Sequence, residues 1–111
     1  MPDPLSLTLA ALADPTRRAM LLRLAEGPAT VTELGAPFAL SQPAISKHIK
    51  VLERAGLISR SRLAQTRPCA LDPAKLLELN DFMAHFRAVT EGQLDLLETY
   101  LTEIQSKGPA P

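Results

Sequence analysis

The sequence predicts a mainly α-helical domain carrying one small β-hairpin, and three observations lead there. Apolar residues recur at helical steps in several segments. Asp-Pro pairs, or Ser and Thr ahead of a periodic run, supply helix starts along the chain. Between the last two helical segments, residues 57–71 alternate weakly around a polar middle, as a short hairpin does. The 111 residues suit a single small domain. A hydrophobic content of 46% suffices for a core, and 4% aromatic residues with no Trp make that core mostly Leu, Ala, Val and Ile.

Residues 5–12, Leu-Ser-Leu-Thr-Leu-Ala-Ala-Leu, read as a first short helix. Asp14-Pro15 opens a second, because the carboxylate accepts from an orphan N–H and proline has none to lose. Met20, Leu21 and Leu24 give it an inward face, and Gly27-Pro28 ends it. Thr30-Val-Thr-Glu33 has capping-box spacing and starts a third helix that runs to about Ala36, where Pro37 breaks it. Ser41 caps a fourth helix, with Pro43 in its first turn and Gly56 as its left-handed stop. Ile45, Ile49 and Leu52, with Val51 beside them, form its apolar stripe. A short helix, a tight connection and a helix with an exposed polar first turn make a helix-turn-helix.

Residues 57–62 and 67–71 are the two strands, with residues 63–66 as the tip. Pro68 confines the return strand to an edge or a strand start. A hairpin at this place is a wing, so the architecture is a winged helix-turn-helix. Asp72-Pro73 opens the last helix, from about 74 to 105, with Gly92 as a place for a kink. Its stripe of Leu76, Leu79, Met83, Phe86, Val89 or Thr90, Leu94, Leu97, Leu101 and Ile104 outruns what so small a core can cover. Such a surplus face is best buried against a copy of itself. Residues 1–106 therefore read as one domain with a C-terminal dimerisation helix, and residues 107–111 as a flexible tail.

Formal net charge is zero, yet its distribution is uneven. Residues 1–40 carry −1, residues 41–71 carry +5 with Glu53 their one acid, and residues 72–111 carry −4. The basic third coincides with the fourth helix and the hairpin. Polar and cationic groups without carboxylates in the helix's first turns suit a polyanion with readable edges, namely double-stranded DNA. Lys47 and Lys50 are the strongest candidates for contacts. Gln42 and Ser46 match base edges, Ser41 caps the helix at the same end, and Ala44 permits close approach or meets a thymine methyl. His48 lies beside Ile49 at the margin of the apolar stripe, and either a phosphate bond or a packing role fits it. Arg62, Gln65 and Arg67 are candidate wing contacts to phosphates or the minor groove. Arg17 and Arg18 read as structural.

One Cys excludes an internal disulfide and fits a reducing compartment. The N-terminus lacks the features of a signal peptide, and no window is apolar enough for a membrane span, so a cytoplasmic location is expected. No Gly-rich phosphate loop or recognisable catalytic carboxylate pair appears, so neither enzymatic activity nor a cofactor is expected. Cys69 reads as a packing residue, and Asp81 with His85, four residues apart, makes two ligands rather than a zinc site.

With those residues placed, the chain resembles the ArsR/SmtB family of bacterial winged-helix repressors. The resemblance rests on Ala11-Leu-Ala-Asp-Pro-Thr-Arg-Arg18, on Leu40 through Leu57, and on Arg62 through Pro73. It spans roughly residues 5–105 and implies a homodimer paired through the first and last helices, with Leu5, Leu9, Phe86, Leu94, Leu97 and Leu101 at the interface. It further implies recognition helices in successive major grooves of an inverted repeat, and repression of an operator that often controls the regulator's own gene. The Cys-rich signature of the family's metal sensors is missing from the third helix, which reads Val31-Thr-Glu-Leu-Gly35. No residue names an effector. Two alternatives stay open: a winged-helix module that binds a protein, and a repressor sensing a metal or thiol oxidant through unrecognised residues.

Overall fold

Every helix of this chain begins where a short acceptor side chain meets free backbone N–H groups. The computed structural model describes residues 3–62 and 65–107. In chain order they form α1 (Pro4–Leu12), α2 (Pro15–Leu24), α3 (Val31–Gly35), α4 (Gln42–Arg54), β1 (Ile58–Arg60), β2 (Cys69–Leu71) and α5 (Ala74–Lys107). Asp3 and Asp14 accept from the N–H groups of Ser6 and Arg17, at 2.9 and 3.1 Å. Thr30 and Glu33 exchange both bonds of a capping box. Ser41 Oγ accepts from Ala44, and Asp72 Oδ1 from Ala74. The N–H of Arg17 holds the Asp14 carboxyl below the usual carboxylate range. That cap is therefore complete at and above the ordinary range and is lost as pH falls through the lowered value.

The first helix starts at Pro4, one residue before the expected boundary, because Asp3-Pro4 repeats the cap signal of residues 14–15 and 72–73. The strands are shorter than expected, for local reasons. Leu57 is taken up in closing α4: its N–H bonds the carbonyl of Leu52, while that of Gly56 bonds Glu53, both at 3.0 Å. With Gly56 at φ +76°, this is the Schellman stop. At the other strand Pro68 accepts from the Ser61 N–H at 3.0 Å but has no N–H to return, and Arg67 before it takes φ +44°, so the regular strand begins at Cys69. The register is antiparallel, Ile58 opposite Leu71, Ser59 opposite Ala70 and Arg60 opposite Cys69. Leu63 and Ala64 of the expected tip, and residues 108–111 of the expected tail, lie outside the described residues. The last helix continues to Lys107.

The chain divides into two compact units, Met1–Leu79 and Asn80–Pro111. In the first, Ala11, Met20, Leu21, Leu24, Leu34, Ile45, Ile49, Leu52, Leu57 and Ile58 form an aliphatic core, with Phe38 packed at its edge. Of the inward positions read from periodicity in α2 and α4, Met20, Leu21, Leu24, Ile45, Ile49 and Leu52 are buried, and Val51 is half-buried against the core. Gly35 makes the turn between α3 and α4 tight, since a Cβ there would stand 3.1 Å from Ile45 Cγ2. Leu52 is fully buried where α4 meets the rest of this core. Leu52→Ala is expected to cost about 2–5 kcal/mol, read as a lower midpoint in urea unfolding at unchanged slope. In the second unit, Phe82 and Phe86 meet edge-to-face, with ring centroids 5.4 Å apart. Both are exposed there, as are Met83, Val89, Leu96, Leu97, Tyr100, Leu101 and Ile104.

Candidate nucleic-acid interface

Helix α4 divides its residues by face. Ile45, Ile49 and Leu52 are inside, while Lys47, Lys50 and Arg54, at steps of 3 and 4, are exposed on the opposite side. Burial of one stripe thus orients the cations of the other. Gln42 is exposed at the first helical position, and Ala44 and Ser46 are half-buried beside it. Ser41 Oγ already accepts the Ala44 N–H at 3.3 Å, so its hydroxyl has a capping task as well as an exposed position. Glu53, the one carboxylate of the helix, lies in its last turn. Arg54 extends the cationic stripe into the last turn, beyond the first turns where periodicity places the contacts.

On the hairpin, Arg62, Gln65 and Arg67 are all exposed. Arg60, in β1, is not available in the same way. Its Nε and Nη2 both donate to the carbonyl of Arg67, at 3.1 and 3.0 Å. The guanidinium closes the turn that displays Arg67 and stabilises that residue's left-handed backbone. The hairpin is also tied down from its far side. Ala29 and Cys69 exchange N–H···O bonds of 3.0 and 2.7 Å, joining the segment after α2 to β2. No periodicity announces such a bridge, because Ala29 is a single residue between a turn and a cap.

Cys69, at the centre of these pairings, is fully buried. Burial pushes its thiol up from the usual range, against the pull of Arg60. A thiol-selective disulfide reagent is therefore expected to leave the native protein unmodified and to titrate one thiol per chain after denaturation. His85 Nδ1 lies 3.1 and 3.2 Å from the carbonyls of Asp81 and Phe82 on its own helix. Among the described residues no three His, Cys, Asp or Glu side chains converge on a possible metal position, and no helix is long and apolar enough to cross a membrane.

His48 is half-buried and faces α2. Arg17 Nη1 donates to its Nδ1 at 3.1 Å, while Arg17 Nε and Nη2 donate to the carbonyls of Ala11 and Ala10 at 2.8 and 3.1 Å. Arg18 likewise bonds the carbonyl of Leu12 at 2.7 Å. Both arginines thus close the end of α1, where orphan carbonyls need donors. Of the expected interface residues on α1 and α5, Leu9, Phe86, Leu97 and Leu101 are exposed and Leu5 is half-buried. The side chain of Leu94 lies outside the described set.

A family model described as a helix-turn-helix domain matches residues 12–60, the stretch from the end of α1 through β1. The chain is 42% identical over 91 residues to the HTH-type transcriptional regulator Rv2034 of Mycobacterium tuberculosis, covering 80% of this chain and 84% of that one. It is 34% identical to the transcriptional repressor SdpR of Bacillus subtilis, covering 78% of this chain and 93% of the relative. Among solved structures, an ArsR family transcriptional regulator, RHA00566, superposes with a TM-score of 0.74 at 39% identity, over 80% of this chain and 98% of that one.

Proposed function

We propose a function from one premise: the chain belongs to the ArsR/SmtB family of winged helix-turn-helix transcriptional regulators. The protein acts as a homodimeric, sequence-specific repressor without catalysis of its own, paired through α1 and α5 and bound to an inverted repeat in duplex DNA. The observation that carries this reading is the outward face of α4. It holds Lys47, Lys50 and Arg54 exposed, opposite a buried stripe that sets their direction. Electrostatic contacts from this face and from Arg62 and Arg67 supply most of the affinity, and Gln42, Ala44 and Ser46 select the bases. The half-exposed apolar residues of α5 support pairing, since a monomer would leave them in water. A relative that is itself a transcriptional repressor supports the repressing direction. The operator includes the regulator's own promoter.

The test is a fluorescence-anisotropy titration against the gene's own upstream DNA and a scrambled duplex, over a series of salt concentrations. Selective binding with a steep negative salt slope is the expected result. Equal, weak binding to both duplexes would count against a DNA operator at this locus and favour a protein partner for the same face.

A further inference from the structure

We propose that Arg17 is a positioning residue for DNA binding: it braces the end of α1, holds the Nδ1 of His48 as an acceptor, and so turns the Nε2–H outward as a neutral donor to a backbone phosphate. The inference rests on the DNA reading above and adds two residues to it. A guanidinium has only donors, so its 3.1 Å contact with Nδ1 requires a lone pair on that nitrogen. The proton of the neutral ring is then on Nε2. Among the described residues Nε2 has no hydrogen-bond partner, and no buried side-chain nitrogen or oxygen is left unpartnered, which places Nε2 at the surface.

The location suits a phosphate better than a base. His48 follows Lys47 on α4 but lies at the margin of the outward face, against α2. When that face enters a major groove, bases meet its centre and the sugar–phosphate wall meets its margin. Arg17 is itself fixed, because two carbonyls of α1 take its other N–H groups. Its own backbone N–H bonds the Asp14 carboxylate. The His48 ring is thereby held from α1 and α2 together.

Two substitutions separate the nitrogens. His48→Asn keeps an acceptor near the Nδ1 position but loses the distal donor, and His48→Gln keeps a distal donor but loses the acceptor. At about pH 8, where an ordinary imidazole is neutral, His48→Asn is expected to weaken operator binding about a hundredfold or more, as for the loss of one hydrogen bond to a charged group in each of two half-sites. His48→Gln should stay within about threefold of the unaltered protein. Long-range 1H–15N spectra should show Nδ1 unprotonated in the free protein and a tautomer mixture in Arg17→Gln. Arg17→Gln should also cost less affinity in a His48→Ala background than alone. Equal losses for the Asn and Gln variants, or a proton on Nδ1, would overturn the inference while leaving selective DNA binding intact. Failure of the unaltered protein to discriminate its operator would remove both.

Discussion

Replacing Leu97 with Asp is expected to turn the proposed dimer into a monomer and to weaken operator binding with it. Leu97 is 53% exposed on α5, so the change leaves the buried core of the first unit untouched. In a symmetric pair the substitution acts twice. Each copy loses about 1–2 kcal/mol of apolar burial at this partly covered position and adds the desolvation of an unpaired carboxylate. Together these effects raise the dimer dissociation constant by about a thousandfold or more. Sedimentation equilibrium measures that directly, and far-UV circular dichroism checks that helix content is kept. Operator affinity should fall by about a hundredfold or more, because two linked half-site contacts become one. A monomer that keeps full affinity would sink the paired-half-site reading. An unchanged dimer would move the interface away from this face of α5.

The second large effect belongs to Lys47 and Lys50. Changing both to Ala is expected to lower affinity by about a hundredfold or more near physiological salt and to flatten its salt dependence. Two lysines in each of two copies account for as many as four phosphates, which corresponds to a slope smaller in magnitude by about 3–4. Both side chains are exposed, so thermal stability should change by less than about 0.5 kcal/mol. A loss of affinity with no change in slope would mean that these residues act on bases or on folding rather than on phosphates. Unchanged affinity would favour a partner other than DNA.

These expectations were largely legible before any coordinates, and the reason is local. Asp14, Thr30, Ser41 and Asp72 announce helix starts because each bonds an N–H two or three residues away. Gly56 announces a stop because its φ of +76° suits a residue without a Cβ. Ile45, Ile49 and Leu52 identify the inner face of α4 because helical geometry projects them to one side, and Lys47 and Lys50 are outward by the same geometry. The missed start at Asp3-Pro4 follows the same rule and was readable. The strand ends were less so: Leu57 fits a strand by composition, but closing α4 takes its N–H first.

What the residues alone determined, then, is the helical order, the cationic face and the family. The tertiary structure decided which polar groups are already engaged. Arg60 looks like Arg62 in sequence, yet a carbonyl seven residues away occupies its guanidinium. Cys69 is buried within the core, and its backbone pairs with Ala29, forty residues earlier. His48 meets the guanidinium of Arg17, thirty-one residues away, through its Nδ1. Periodicity and capping are written within one or two turns of chain. A hydrogen bond between distant segments depends on where the packed core brings them, and no local pattern encodes that.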